Sequence, residues 1–287
     1  MFKARTAVIK ANGKINIGLN ILGRDNGFHN LDSVFAEINL FDEIFFRSRK
    51  DSEIRLEVRG GSAESIAASD NVVYKVARAF RERYGTTGAE IRLKKNIPVG
   101  SGLGGSSADI VGTVRGMAKL FGIDEDLTPF VNEFCSDGEF LLGGGFARVN
   151  GRGSVAEKFQ PQKKLYFVIA FPDCASVTEN VFSEFDRGDY PYAEADIDKI
   201  VHCLKSGEDL PGREIFNALF QPAAALHGEI KEVYGAMLSL CPSFISMSGS
   251  GSAVYGCFET LEICLWAKQK MQKICDLVIV KETIGGE

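Results

Sequence analysis

The segment PVGSGLGGSSAD at residues 98–109 constrains this chain more than any other stretch of it. Glycine adopts a positive φ at little cost and lets the backbone approach a ligand closely. A helical pattern follows from about Ser107 to Leu120, and a helix N-terminus carries roughly half a positive charge. The segment therefore predicts a phosphate-binding loop built mainly from backbone N–H groups. These groups, with two hydroxyl donors, come from Gly100, Gly102, Gly104, Gly105, Ser106 and Ser107.

Two familiar phosphate-binding patterns do not fit this loop. It lacks the Gly-Lys-Ser/Thr ending of a Walker A sequence, so it provides no lysine for the β- and γ-phosphates. Gly100, Gly102 and Gly105 have the GxGxxG spacing, but no clear strand with an acidic ribose ligand follows. Taken alone, the loop leaves a plain surface turn between strand and helix as the alternative.

Composition indicates a globular chain and excludes several function classes. The chain is 45% hydrophobic and 25% charged, which is ordinary for a globular protein. Its 287 residues are long enough for two domains with separate cores. The net charge is −5 and no basic run alternates with aromatics, which argues against a nucleic-acid partner. The apolar runs are too short to span a bilayer, and the N-terminus has no secretory apolar block. The seven cysteines form no CxxC pair, and we interpret them as reduced thiols in a cytoplasm.

Hydrophobic periodicity predicts an α+β chain with two domains. Alternating residues predict a strand over 14–21, and an amphipathic pattern predicts a helix over 71–84. Gly143, Gly144 and Gly145 are expected to interrupt a β region. The polar connector at 159–164 suggests a domain boundary. Further strands are predicted at 7–10, 34–40, 43–47, 54–58, 91–93, 146–149, 165–171, 244–247, 253–258 and 277–280, and further helices at 107–120, 197–204, 223–240 and 261–274.

Three segments in the same order resemble the motifs of the GHMP kinases. They are the loop at 98–107, the lysine-bearing strand at 14–17 and the glycine-rich stretch MSGSGSA at 247–253. The resemblance implies a two-domain α+β GHMP kinase fold with the active site in the cleft between domains. An N-terminal domain over 1–160 would carry the phosphate loop and the catalytic lysine and aspartate. A C-terminal α+β domain would cover 161–287.

The segment GRDNGFHNL at 23–31 bears on which alcohol would accept the phosphoryl group. It resembles the GRRxDGYHxL segment of GHMP kinases that act on a diphosphocytidyl alcohol, and similarity continues at 40–44, 69–75 and 217–219. The implied reaction is ATP-dependent phosphorylation of the 2-hydroxyl of 4-diphosphocytidyl-2-C-methyl-D-erythritol in non-mevalonate isoprenoid biosynthesis. Phe28 would stack on the cytosine and His29 would hydrogen-bond it. The implied partner is thus a small molecule carrying a cytidine diphosphate group, and the chain would act as a monomer or homodimer.

Two other functions stay open at this point. The acceptor of a GHMP kinase can be mevalonate, phosphomevalonate or homoserine. The chain could also be a catalytically weak nucleotide-binding sensor, because it departs from the family pattern beside its catalytic positions. Gly138-Glu139 replaces Val-Pro and Asn12-Gly13 replaces Pro-Ala. Two further departures are Ser106 for a third glycine and Phe28 for tyrosine.

The resemblance also assigns catalytic roles. The segment CSDGEFLLG at 135–143 resembles that of the family's catalytic aspartate, which makes Asp137 the general base. Lys14 would hold Asp137 ionised near the acceptor oxygen. Asn16 projects to the same strand face as Lys14 and is expected to contact substrate. Glu139 is an alternative base, and Asp137 by itself also fits a turn or cap position.

ATP and substrate phosphates are assigned by resemblance as well. Ser107 is the candidate Mg2+ ligand, although it also fits a helix cap. Ser248 and Gly249 are expected to cradle substrate phosphates, with a chain corner as the alternative. Asn71 is a candidate for the adenine pocket and equally a helix cap. The ATP-binding residues are predicted to be Asn71, Pro98, Gly100, Gly102, Leu103, Gly104, Gly105, Ser106 and Ser107.

Overall fold

A computed structural model of the chain describes residues 4–25, 27–61, 64, 67–210, 212 and 215–284. The chain forms two compact units, each made of several segments. The first unit comprises Met1–Gly13, Leu40–Val99 and Gly104–Leu142, and the second comprises Lys14–Asn39, Gly100–Leu103 and Gly143–Glu287. The division into domains over 1–160 and 161–287 stays a prediction, and each compact unit is described below by itself.

The first unit contains parts of two long strands and a pair of packed helices. The elements are β1 (Thr6–Asp25), β2 (Phe28–Ser48), β3 (Ile54–Arg59), α1 (Val72–Tyr84), β4 (Ala89–Lys94), α2 (Gly105–Phe121), α3 (Thr128–Asn132) and α4 (Gly138–Gly143), of which β1 and β2 continue into the second unit. Residues 43–48 of β2 pair antiparallel with β4, and β3 pairs parallel with β4. Helices α1 and α2 pack against each other.

Helix α1 follows the prediction from its sequence. Asn71 is its N-cap, and the Asn71 Oδ1 accepts a hydrogen bond from the Val73 N–H at 2.9 Å. Gly85 ends the helix in the left-handed conformation with a φ of 61°. The side chains that α1 buries share one face: Val73, Val76, Ala77 and Phe80. The helix-cap interpretation of Asn71 is therefore confirmed.

The second unit contains a four-stranded antiparallel sheet and several helices. Its elements are β5 (Phe146–Gly151), β6 (Ser154–Phe159), β7 (Tyr166–Phe171), α5 (Thr178–Arg187), α6 (Ile197–Ser206), α7 (Phe220–Leu226), α8 (Gly228–Leu238), β8 (Phe244–Met247), β9 (Val254–Phe258), α9 (Leu261–Met271) and β10 (Leu277–Glu282). The four strands of the sheet have the order β10-β7-β9-β8. Residues 31–36 of β2 pair antiparallel with β5, which pairs with β6. The apolar core of the unit includes Val168, Val254 and Met237.

The mixed α+β class is confirmed, and several local predictions are wrong. The strands predicted at 7–10 and 14–21 form the single strand β1, and those predicted at 34–40 and 43–47 form the single strand β2. The helix predicted over 223–240 is two helices, because His227 adopts an extended backbone with φ −137° between α7 and α8. The residues before the glycine triplet form α4 rather than a strand, and Gly144 and Gly145 then turn the chain with φ values of 63° and 74°. Among the described residues, no helix is both long and apolar enough to cross a bilayer.

Candidate active site

Lys14 and Asn16 form a buried polar network on β1 in the second unit. The Lys14 Nζ donates to the Asn16 Oδ1 at 2.7 Å, and the two residues are only 5% and 2% exposed. The Asn16 Nδ2 donates to the Ser33 Oγ at 3.0 Å, and the Tyr255 hydroxyl donates to the Asn16 carbonyl at 2.6 Å. The Lys14 Nζ also lies 4.6 Å from the centre of the Phe35 ring. A buried ammonium is thereby held in one position, which is what electrostatic catalysis requires.

Two glycine-rich loops of the second unit meet beside this ammonium group. The Ser248 Oγ donates to the Gly102 carbonyl at 3.0 Å, and a Cβ on Gly102 would lie 2.0 Å from the Ser248 carbonyl oxygen. A Cβ on Gly249 would lie 3.6 Å from the Lys14 Nζ and 3.4 Å from the Asn16 Oδ1. The 2.0 Å distance at Gly102 leaves no room for a side chain there. The structure thus brings together four predicted residues: Lys14, Asn16, Gly102 and Gly249.

Side chains from distant parts of the second unit hold the loop at 248–251. The Asn217 Nδ2 donates to the carbonyls of Met247 and Gly249, at 2.7 and 2.9 Å. The Ser176 hydroxyl donates to the Ser250 carbonyl at 2.6 Å, and the Ser176 N–H donates to the Gly100 carbonyl at 3.1 Å. The chain corner at 248–251 is thus fixed by hydrogen bonds on several sides. Its Ser248 and Gly251 N–H groups donate to the carbonyls of Ala253 and Ser248, so the backbone of the corner is preorganised.

Phe28 and His29 make a separate set of contacts in the second unit. The Phe28 side chain is 49% exposed, and the Arg152 guanidinium lies 3.5 Å from its ring centre. The His29 ring stacks on Phe182 with centres 4.6 Å apart, and its Nε2 lies 2.8 Å from the Asp186 Oδ1. Phe28 thus offers an exposed ring beside a guanidinium, which is the chemistry that stacks a nucleobase, and the His29 ring is held separately by Phe182 and Asp186.

The start of α2 has the backbone form that anion binding needs. Gly100, Gly102 and Gly104 have φ values of 69°, 74° and 72°, as the glycine-rich sequence predicts. No side chain caps the first turn of α2, which begins at Gly105 in the first unit. Its N–H groups therefore remain available to an anion, and Ser106 beside them is exposed.

Ser107 and Asp137 of the first unit lie around one thiol, that of Cys135. Burial raises the pKa of Cys135 to about 12, and the Asp137 carboxylate adds to the rise while a hydrogen bond with Ser107 opposes it. The thiol is therefore neutral at physiological pH. Asp137 stands directly before α4, and its carbonyl accepts the Leu141 N–H at 3.0 Å. The Asp137 backbone thus has the cap position, and its carboxylate shares a neighbourhood with Ser107.

A buried ionic cluster lies beside the first two turns of α2. The Lys95 Nζ lies 2.5 Å from the Asp42 Oδ2 and 2.7 Å from the Asp109 Oδ2. Burial raises the pKa of Asp109 to about 7, although Lys95 opposes the rise. Among the described residues, the Asp109 Oδ1 is the buried side-chain polar atom without a hydrogen-bond partner. A Cβ on Gly105 would lie 3.5 Å from the Lys95 Nζ, so the cluster supports the first turn of α2.

Sequence reasoning missed most of the supporting residues. Asn217 stood in a segment that resembled the family, but no role followed from the pattern. Asp42 likewise lay in a matching segment, whereas Lys95 and Ser33 had no local signal. Binding of ATP and substrate by the predicted residues stays a prediction.

Comparison with known proteins shows which family the chain resembles. The family model described as the GHMP kinases N terminal domain matches residues 71–139. A 4-diphosphocytidyl-2-C-methyl-D-erythritol kinase of Carboxydothermus hydrogenoformans is 35% identical over 262 residues, which is 89% of each chain. A crystal structure of 4-(cytidine 5'-diphospho)-2C-methyl-D-erythritol kinase has a TM-score of 0.82 at 27% identity, covering 98% of this chain and 100% of that chain.

The crystal structure of a homoserine kinase from Cytophaga hutchinsonii has a TM-score of 0.71 at 23% identity. The match covers 100% of this chain and 96% of that chain, so the two proteins share the fold. The fold and the matched motifs thus define the class as the GHMP kinases. Within that class, the chain belongs to the family of the 4-diphosphocytidyl-2-C-methyl-D-erythritol kinases. The resemblance drawn from the sequence motifs is thereby confirmed.

Proposed function

We propose that this chain transfers the γ-phosphoryl group of ATP to the 2-hydroxyl of 4-diphosphocytidyl-2-C-methyl-D-erythritol and releases ADP. The observation that carries the proposal is the buried Lys14 ammonium, held by Asn16 beside the glycine loops at 102 and 249. A fixed cation next to backbone cradles suits a transition state whose charge spreads over phosphoryl oxygens. The substrate named for its relatives makes this acceptor the first choice over mevalonate, phosphomevalonate or homoserine.

In the proposed step, the acceptor hydroxyl attacks the γ-phosphorus while its proton passes to the Asp137 carboxylate. The bond from the γ-phosphorus to the bridging oxygen breaks, and ADP leaves with that electron pair. Lys14 is proposed to lie near the acceptor oxygen and to keep Asp137 ionised. Glu139, in the first turn of α4, is the alternative base.

ATP is proposed to lie against the loop 98–107 and the first turn of α2. The α2 N–H groups donate to its phosphates, and Asn71 is proposed to lie at the adenine pocket. Mg2+ fits the oxygen donors near Cys135, because Ser107 and Asp137 offer a hydroxyl and a carboxylate there. When bound, Mg2+ would neutralise charge on the phosphate oxygens.

The cytidine end of the substrate is proposed to stack on Phe28, with His29 hydrogen-bonded to the base. The exposed Phe28 ring beside Arg152 supports the stacking role, and the Asp186 carboxylate at the His29 Nε2 fixes the orientation of the imidazole. Ser248 and Gly249 are proposed to hold the substrate's phosphates. We further propose that the chain works in a cytoplasm as a monomer or homodimer, with a functional division into domains near residue 160.

A coupled ADP-release assay over four acceptor alcohols tests this function. We expect turnover with the diphosphocytidyl substrate and at least a hundredfold lower kcat/KM with mevalonate, phosphomevalonate and homoserine. Asp137→Asn is expected to lower kcat by at least a thousandfold while ATP still binds, and Glu139→Gln serves as the matched control. Binding of the diphosphocytidyl substrate without turnover in the unmodified chain would favour the sensor function instead. If Glu139→Gln loses turnover and Asp137→Asn keeps it, the base is Glu139.

A further inference from the structure

A cluster of three ligand-type side chains lies in the second unit, apart from the residues assigned above. The Cys174 sulfur, a His227 ring nitrogen and a Glu229 carboxylate oxygen lie within 4.8 Å of one another. Cys174 and His227 are half-buried, and Glu229 is exposed. Within the described part of the chain, this is the one group in which three His, Cys, Asp or Glu side chains bring their ligand atoms together. We propose that it is a binding site for a zinc-type divalent cation.

The ligand chemistry selects the metal class. Thiolate, imidazole and carboxylate are the ligand types of zinc, with bonds of about 2.0–2.3 Å. A tetrahedral centre with such bonds places its ligand atoms roughly 3.3–3.7 Å apart. The exposed Glu229 side chain can rotate to close the remaining gap. Binding converts the Cys174 thiol into a metal-bound thiolate and releases its proton to solvent, and a water completes the fourth position.

The backbone at Cys174 and His227 is fixed by hydrogen bonds. The Cys174 N–H donates to the Pro172 carbonyl at 2.7 Å, and the Ser252 hydroxyl donates to the Cys174 carbonyl at 2.8 Å. The His227 N–H donates to the Ala223 carbonyl at 2.9 Å, which holds the junction of α7 and α8. Ligands whose backbone is already held by hydrogen bonds lose less conformational entropy on binding, so this arrangement favours a metal site.

The position of the site gives a bound ion a structural consequence. Cys174 and Ser176 belong to one short segment, and this segment contacts the glycine-rich loops through Ser252 and Gly100. An ion would tie the segment to the start of α8. We therefore expect Zn2+ to slow amide hydrogen exchange in residues 173–177 and 227–230. Amide hydrogen exchange in residues 199–206 of α6, which lie outside the cluster, should not change when Zn2+ is added.

Titration with Co2+ under a phosphine reductant, without nucleotide, tests the proposal on the full chain. One equivalent should produce a thiolate-to-cobalt absorption band and tetrahedral visible bands, and Zn2+ should displace them. Cys174→Ser should abolish the thiolate band, and His227→Gln or Glu229→Gln should weaken Co2+ binding at least tenfold. Cys241→Ser, which changes an exposed cysteine of the same unit, is the matched control and should leave the band unchanged.

Circular dichroism and thermal unfolding without metal establish that each variant folds. If Cys174→Ser does not fold, bound Zn2+ should still protect Cys174 from alkylation in the unmodified chain, read by mass spectrometry beside Cys241. The absence of a thiolate band in the unmodified chain overturns the proposal. So does a band that survives Cys174→Ser, or equal alkylation of Cys174 with and without Zn2+.

Discussion

At the scale of single residues, Asn16 does more for the site than contact substrate. Its side chain accepts from the Lys14 ammonium and donates to Ser33, while Tyr255 holds its carbonyl. A hydrogen bond to a charged group contributes about 1.5–3 kcal/mol, and a buried polar group that loses its partner is costly. Asn16 therefore acts as a positioning residue for Lys14, in addition to its proposed contact with substrate.

Asn16→Leu tests this positioning role against a closely matched control. Asn20 lies on the same strand, is 5% exposed, and binds the Ala195 backbone through both side-chain atoms. We expect Asn16→Leu and Asn20→Leu to lose similar free energy of unfolding, about 1–3 kcal/mol each. Only Asn16→Leu should lower kcat at least tenfold, because only it releases the Lys14 ammonium. Equal kcat values for the two variants would contradict the role.

Local chemistry made some residues predictable and long-range contacts made others unpredictable. Asn71 as a helix cap and the positive φ of Gly102 follow from a few neighbouring residues. By contrast, the Asn16 contacts with Ser33 and Tyr255 join positions 17 and 239 residues away in sequence. No pattern in one sequence encodes such a pairing without the fold.

At the scale of elements, the helices with a clear local pattern were predicted, and those that depend on distant contacts were not. The amphipathic face of α1 was predicted because its period is clear over a long segment. Helix α5 was not predicted, since it buries only Val181 fully, whereas α6, which has the same length, buries five residues. The break at His227 was also missed, because the apolar pattern of α7 continues into α8 while the backbone between them is extended.

The loop at 98–107 gives a prediction at this scale, because one of its glycines serves close packing as well as a turn. Gly102 and Gly122 have nearly equal φ values, 74° and 75°. A Cβ on Gly102 would lie 2.0 Å from the Ser248 carbonyl oxygen, whereas a Cβ on Gly122 would meet nothing within 4 Å. We expect Gly122→Ala to cost about 1 kcal/mol from its positive φ alone.

Gly102→Ala should cost more than Gly122→Ala and should move the two glycine-rich loops apart. We expect it to raise the KM for ATP and for the acceptor at least tenfold, whereas Gly122→Ala leaves both KM values within twofold. Steady-state kinetics and urea unfolding of the two variants measure these effects. Identical behaviour of the pair would show that close packing at Gly102 has no functional role.

At the scale of the whole molecule, the predicted site residues are divided between the two compact units. Lys14 and Gly249 belong to the second unit, and Ser107 and Asp137 belong to the first. Linear motif order predicted the family because each motif is a short contiguous stretch. It could not predict these units, because residues 14–39 join the second unit through the pairing of β2 with β5 at 31–36.

The stability of the whole chain should depend on pH through Asp109. Burial raises its folded-state pKa from 3.8 to about 7, and the charged groups that face it are Lys95 and Asp42. Between these two pKa values the folded chain binds more protons at Asp109 than the unfolded chain does. The free energy of unfolding therefore falls as pH rises through this range, by up to about 1.4 kcal/mol per pH unit from this group.

Asp109→Asn isolates this dependence, because the amide keeps the shape of the protonated carboxyl and cannot ionise. We expect its free energy of unfolding, relative to the unmodified chain, to increase from pH 5 to pH 7 and to level off above pH 8. Urea unfolding at four pH values measures the difference, and Asp124→Asn at an exposed position is the control. Subtraction removes from the comparison the titration of every group that does not interact with Asp109. A difference that stays constant with pH would mean that Lys95 keeps Asp109 ionised, since the pair would then titrate below this range.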